Sequence, residues 1–330
     1  MIKKALTSLF IFLLAAAKIT AQTDIEAINT GAANFLTLPA NARILGMGGA
    51  NVAMTDGNPV FYNEAGLLFG QAADKSGVDY NYTSWMRGFE SGYNFHSLGG
   101  YHKIDALNAV YGGLRRYSYP KQTVTNEGAS NDEYIYPSEW AIDLGYSRKI
   151  LENLALSATI RLIRSNMGQV GGAKSATAAA FDLGALYSAQ LPLFQGAKWA
   201  AGLQLCHFGT KLKYLTKKEE LPAAGKIGAS VYLPFNPDHQ ITIATDLSYR
   251  FAPSEAQSLS LNSGLEYKLM NVLLFRCGYR YGDRNKGEWS YATAGVGIAY
   301  RKLHLDWAWL FAEGESPINN SFSLSGGIQF

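Results

Sequence analysis

Cysteine is almost missing from this chain, with 2 in 330 residues. So low a number excludes a disulfide framework and a four-cysteine zinc site. Histidine is scarce as well: His96, His102, His207, His239 and His304 are scattered, never at i, i+4 spacing and with no nearby cysteine at ligand spacing. No metal site and no cofactor is expected from that pattern. Catalytic motifs are also wanting. No G-x-S-x-G elbow or S-x-x-K nucleophile stands in a suitable context. Gly46-Met47-Gly48-Gly49 fails the dinucleotide fingerprint, because Asn51 occupies the last glycine position and no βαβ unit surrounds it. The chain is therefore not expected to be an enzyme. An excess of one sign of charge is nearly absent too. The formal net charge is +3, and setting aside Lys3, Lys4 and Lys18 leaves 26 basic residues against 26 acidic ones. Bulk charge thus gives no reason to expect a nucleic-acid partner.

Beyond the N-terminus there is no run of about 18 apolar residues, so no membrane helix is expected. Disorder is excluded from the other side by 48% hydrophobic and 13% aromatic residues, with a mean hydropathy of −0.06. The N-terminus itself has a positive start, Met1-Ile2-Lys3-Lys4, and an apolar stretch from Ala5 to Ala17. Ile19-Thr20-Ala21 then precedes Gln22. This predicts a signal peptide over residues 1–21 and an exported protein. Any residence in a membrane must then be as a β-barrel.

From residue 76 onward, apolar and polar residues alternate in segments of ten to fourteen residues, the period of strands with two unlike faces. Leu154, Leu156, Ala158, Ile160 and Leu162 alternate with Ala155, Ser157, Thr159 and Arg161. Leu303, Leu305, Trp307, Trp309 and Phe311 oppose His304 and Asp306. Continued along the chain, the pattern predicts fourteen strands near 76–86, 91–102, 106–117, 138–149, 153–164, 177–189, 198–207, 223–233, 239–251, 257–269, 271–281, 289–300, 302–312 and 320–330. Short turns near 103–105, 150–152, Met270 and Arg301 alternate with longer polar loops at 118–137, 165–176, 208–222, 282–288 and 313–319. Proline is sparse, and Trp85, Trp140, Trp199, Tyr267, Tyr281, Trp289 and Tyr300 fall near strand ends as an aromatic girdle would. The expected fold class is all-β transmembrane: an antiparallel, about fourteen-stranded outer-membrane β-barrel over residues 76–330, with its short turns in the periplasm and outer-membrane lipids around it. In the last segment Phe322, Leu324, Gly326, Ile328 and Phe330 share the apolar face, so Phe330 reads as a barrel-assembly signal.

Residues 22–75 break the strand pattern. They are short, apolar and rich in Gly and Ala, too small for a free-standing domain but suited to close packing inside a lumen. Within them Ala42-Arg43, Gly46-Met47-Gly48-Gly49-Ala50, Val52-Ala53 and Asn63-Glu64-Ala65-Gly66-Leu67 resemble the N-terminal hatch of the PorV/PorQ family, part of the wider FadL-like group of fourteen-stranded barrels. The resemblance implies a small N-terminal hatch in the lumen, with Arg43, Gly46, Met47, Gly48, Gly49, Asn63 and Gly66 as its motif. Where the family carries Asn-Pro-Ala this chain has Asn63-Glu64-Ala65. The resemblance also implies protein partners in a secretion or envelope-assembly complex, as for the type IX secretion members. The alternative it carries is FadL-like passage of hydrophobic compounds.

Inward-facing charges are expected at Asp143, Arg161, Asp182, Asp246, Arg250, Glu266, Arg276, Arg280 and Asp306, both signs together, as a salt-bridge lattice or a polar path. Arg43 is expected to pair with a wall carboxylate, because an unpaired charge in a narrow lumen is costly. Cys206 and Cys277 fall on opposite faces and should not bond. Partner-binding positions are expected at Tyr117, Tyr119, Tyr134 and Tyr136 around loop 118–137. A second such position is Lys217 and Lys218 in loop 208–222, a lysine-rich stretch suited to a protein partner or to lipopolysaccharide phosphates.

Overall fold

The computed structural model describes residues 30–70, 75–124, 133–168, 175–192, 195–215 and 217–330. The leader expected over 1–21 lies outside them. Fourteen strands build one closed wall. They are β1 (Ser76–Ser84), β2 (Asn94–Lys103), β3 (Asn108–Ser118), β4 (Ser138–Leu151), β5 (Leu154–Asn166), β6 (Ala176–Gln190) and β7 (Lys198–Gly209), followed by β8 (Ala224–Asn236), β9 (His239–Arg250), β10 (Ser258–Leu269), β11 (Leu273–Tyr281), β12 (Tyr291–Tyr300), β13 (Leu303–Phe311) and β14 (Phe322–Gln329). Each pairs antiparallel with the next, and β14 returns to β1 with Gly77 opposite Gln329 and Ser84 opposite Phe322. Closure leaves no strand edge unpaired in the wall, which is what a sheet in hydrocarbon requires.

Alternation drives this architecture. On β5, Leu156, Ile160 and Leu162 are exposed, whereas Ala155, Ser157, Thr159 and Arg161 are buried. The sequence is therefore folded inside out relative to a soluble barrel, with its greasy face outward. Where strands turn tightly, the backbone supplies the left-handed conformation. Met270 and Asn271 have φ of 52° and 57°, the geometry by which a two-residue hairpin matches the twist of its strands. Among the described residues, no helix is long and apolar enough to cross a membrane.

All fourteen expected strands are present, each displaced by a few residues at most. The long loops hold more order than expected. Gln122–Val124 pairs with Glu133–Ile135, and Leu212–Tyr214 pairs with Lys217–Glu219. Two members of the expected girdle also turn the other way. Trp85 is buried and Trp289 is partly buried against the interior cluster, because each lies just outside a strand end, Trp85 after β1 and Trp289 before β12, where the chain bends in over the lumen. Trp140, Trp199, Tyr281 and Tyr300 do face outward.

Residues 30–70 lie against the inner surface of the wall. They contain one short helix, α1 (Ala42–Gly46), and two 3-10 turns, Asn34–Thr37 and Glu64–Leu68. The Asn41 side chain caps α1 by accepting from the Ile44 N–H at 2.8 Å. Phe35, Leu36, Leu45 and Met47 are buried with wall residues Phe95, Ile163 and Leu310 in one apolar cluster.

Candidate functional site

The site is the contact between the N-terminal segment and the wall, together with the cavities it leaves. Wall side chains hold the segment by its backbone from many directions. Ser97 Oγ donates to the Ala40 carbonyl at 2.5 Å, Ser230 Oγ to Ala53 at 2.7 Å and Ser147 Oγ to Glu64 at 2.9 Å. The Asp246 carboxylate accepts from the Asn51 N–H at 2.5 Å and from the Val52 N–H at 3.0 Å. Asn63, from the expected motif, donates its amide to Val52 O at 2.8 Å and to wall Ala185 O at 2.9 Å. A buried segment with little regular structure must place its backbone polar groups somewhere, and the wall supplies the partners.

The motif glycines are explained by how closely the two backbones approach. Gly48 has φ +66°, and a Cβ there would sit 2.5 Å from the Tyr279 nitrogen. Opposite it the wall is notched in return: Gly264 faces Met47, Gly278 faces Met47 and Gly48, and Gly295 faces Gly46. Gly66 lies against the Met54 carbonyl and Leu186. Small residues on both partners are what admit the segment.

Charge completes the seat. Arg43 donates from Nε to Glu266 Oε2 at 2.9 Å and from Nη2 to Oε1 at 2.8 Å, and it also pairs with Asp56 of its own segment at 2.9 Å. Burial alone would lower the affinity of this guanidinium for its proton, but Asp56 and Glu266 overcome that and raise it. The chain of charges continues through the wall: Glu266 to Arg276 at 2.6 Å, Arg276 to Asp306 at 2.6 Å, then His304 between Asp306 and Asp79. A second chain runs Arg115, Asp143, Arg161, Asp182, with contacts of 2.8–2.9 Å. Arg161 Nη1 also donates to His207 Nδ1 at 2.6 Å, so that ring nitrogen carries no proton. A third group places Glu288 between Arg250 and Arg280, each at 2.5 Å. Burial would raise the Glu288 carboxyl, but Arg280 and Arg250 outweigh it and hold it below the usual carboxylate range.

Every inward charge expected from the sequence is in these networks or, for Asp246, on the segment's backbone. Arg115, Glu139 and Glu288 are buried charged groups that sequence reasoning missed, as is Glu64. Arg115 and Glu139 share the inward frame with Tyr111 and Asp143, so the alternation held the signal. His207 was hidden. It sits at φ 64° in a bulge of β7, where the register against Phe181 and Leu183 slips and the alternation breaks. Glu64 replaces the proline that the resemblance leads one to expect, and its carboxylate closes the turn by accepting from the Phe61 N–H at 3.0 Å. Burial, aided by Asp182 and Asp143, pushes the Glu64 carboxyl well above its ordinary range.

The expected partner-binding tyrosines are split. Tyr134 and Tyr136 are exposed, while Tyr117 is buried and packs edge-on to Tyr119, whose hydroxyl donates to Glu139 at 2.8 Å. Tyr117 and Tyr119 point into the barrel mouth because strand alternation and the inward bend place them there. Lys217 and Lys218 are exposed on the small hairpin, and Lys211 pairs with Glu220 at 2.5 Å. Cys206 is buried and Cys277 exposed, both as free thiols. Phe330 faces outward, and its backbone closes the seam by exchanging hydrogen bonds of 2.7 and 2.8 Å with Ser76. Among the described residues no cluster of His, Cys, Asp and Glu is suited to a metal ion.

Cavities remain at both ends among the described residues. The outer one, about 330 Å³, lies at the long-loop end, between an aromatic side that includes Phe35, Trp85 and Tyr117 and a charged side of Arg250, Arg280 and Glu288. The inner one, about 170 Å³, lies at the short-turn end beside Arg43, Asp56, Lys103 and Lys268. Ile44, Asn51 and Tyr62 border both.

Comparison with known proteins agrees with this architecture. A family described as "Type IX secretion system protein PorV" matches residues 20–257. No curated protein matches the chain in sequence. Solved structures that share the fold include the P. putida toluene transporter TodX, with TM-score 0.64 and 13% identity over 90% of this chain and 99% of that one. The Ralstonia pickettii toluene transporter TbuX has TM-score 0.59 and 12% identity, covering 90% of this chain and 99% of its own. A Pseudomonas aeruginosa FadL homologue has TM-score 0.52 and 13% identity, covering 89% and 99%.

Proposed function

We infer, from the premise that this chain belongs to the PorV family of type IX secretion system proteins, that it is an interaction component of that secretion system. It is an outer-membrane barrel related to type IX secretion. The finer reading is that residues 22–75 serve as a hatch that stays in the lumen while the extracellular loops take hold of a protein partner. The observation that carries it is the seat of residues 30–70: hydrogen bonds to many strands, matched glycines and the Arg43–Glu266 clamp favour a lumen that stays filled. A filled lumen leaves the loops as the working surface, with Tyr134, Tyr136, Lys217 and Lys218 the exposed positions on them. The fold alone names no partner.

The outer cavity supports a second reading. Its aromatic side and its volume suit a small apolar molecule, and the structural neighbours include toluene transporters. Affinity purification from native outer membranes separates the two. Recovery of other secretion components with the barrel is expected under the first reading. A solitary barrel carrying small hydrophobic molecules would overturn it.

A further inference from the structure

The outward wall carries a pattern that the lumen does not use. In its half nearest the long loops, outward strand positions are aliphatic, aromatic, small or neutral polar, with two charged exceptions. Arg116 on β3 and Arg164 on β5 both face out and are exposed. The register sets them on one row: Arg116 is opposite Trp140 of β4, and Trp140 is opposite Arg164. One row deeper stand Leu114, Ile142 and Leu162, again opposite one another and exposed. Among the described residues neither guanidinium has a hydrogen-bond or ion-pair partner.

A lone arginine facing acyl chains is costly at the bilayer midplane and costs little near the headgroups. Trp140 marks the headgroup level, where indoles collect. Two like charges on that level repel each other unless an anion joins them. Strands are about 4.8 Å apart, so the two arginine backbones are separated by about 10 Å, which lets the long side chains converge on one group between them. Guanidinium forks match phosphate oxygens in pairs. We propose that Arg116, Trp140 and Arg164 form a binding site for a phosphate-bearing lipid of the outer leaflet. The phosphate lies between the guanidiniums and the acyl chains run down over Leu114, Ile142 and Leu162. The apolar row directly beneath the charges is what favours a lipid over a protein here. The site does not depend on the secretion reading.

The test uses the full-length barrel in detergent, incubated with bisphosphorylated lipid A or with its dephosphorylated form and read by native mass spectrometry. Wild type is expected to retain the bisphosphorylated form about tenfold better than R116Q/R164Q does, the worth of one lost charge-assisted hydrogen bond. R116K/R164K should keep part of that retention, and R148Q, an outward arginine at the short-turn end of β4, should keep all of it. A heat-dependent shift in gel mobility checks that each variant is folded. Equal retention by R116Q/R164Q, or equal retention of dephosphorylated lipid A, overturns the proposal. So does a photo-reactive residue at position 140 that yields protein adducts in place of lipid adducts in native membranes.

Discussion

Arg43 and Glu266 stand 223 residues apart in the chain and share two parallel hydrogen bonds, one to each carboxylate oxygen. The pair joins the N-terminal segment to β10, and Arg276 holds the same carboxylate from β11. Removing Arg43 leaves the buried carboxylate to Arg276 alone and costs the segment its charge-assisted contacts, about 1.5–3 kcal/mol each. Arg43→Met should therefore loosen the segment while the wall stays folded. Limited proteolysis of the purified barrel should show cleavage within residues 30–70 in the variant and protection in wild type. Arg43→Lys should protect only partly, because one ammonium cannot reproduce the two-pronged contact.

The notched wall makes a second prediction. Gly278→Val puts a branched side chain where the Met47 and Gly48 backbone lies, and that backbone cannot yield without leaving its seat. The variant should still form a barrel by gel mobility but should pass ions in planar bilayers, whereas wild type should stay closed. A closed Gly278→Val barrel would mean that the segment finds another seat.

Glu64 gives a pH dependence whose sign is fixed by burial. Its carboxyl titrates well above the ordinary range in the folded protein, so the folded state prefers the protonated form. The group then costs nothing at pH below the unfolded value near 4.3, and its penalty grows as pH rises from there toward the folded value. Glu64→Gln keeps the oxygen that accepts from Phe61 and removes the charge. It should stabilise the segment at pH 8 and change little at pH 4, as read by urea dependence of proteolysis at the two values.

For partner capture, exposure separates the candidates. Tyr134→Ser, Tyr136→Ser and the Lys217→Glu/Lys218→Glu pair should reduce recovery of secretion components in pull-downs without altering barrel mobility. Tyr117→Ser should instead lower thermal stability, since its ring is buried among Tyr93, Phe95 and Tyr119.

The wall was legible in the sequence because each strand states its two faces locally. Leu156 and Ser157 need no distant partner to declare their sides, and all fourteen strands follow from that rule. Arg43's need for a wall carboxylate was legible for a different reason: a charge amid Ala and Gly in a lumen must be paired. What the sequence could not convey was which carboxylate, since the choice of Glu266 depends on how residues 30–70 thread across strands far away in the chain. Glu64 was opaque because a carboxylate inside an apolar turn reads as a local irregularity until the Phe61 N–H is seen beside it. His207 was opaque because a one-residue bulge inverts the frame. Trp85 and Trp289 were misread for want of the bend that carries them over the mouth.

Ile44, Asn51 and Tyr62 touch the outer cavity on one side and the inner cavity on the other. These three side chains are therefore the shared wall between the two spaces. A smaller residue at any one of the three, Tyr62 above all, should merge those two spaces into one.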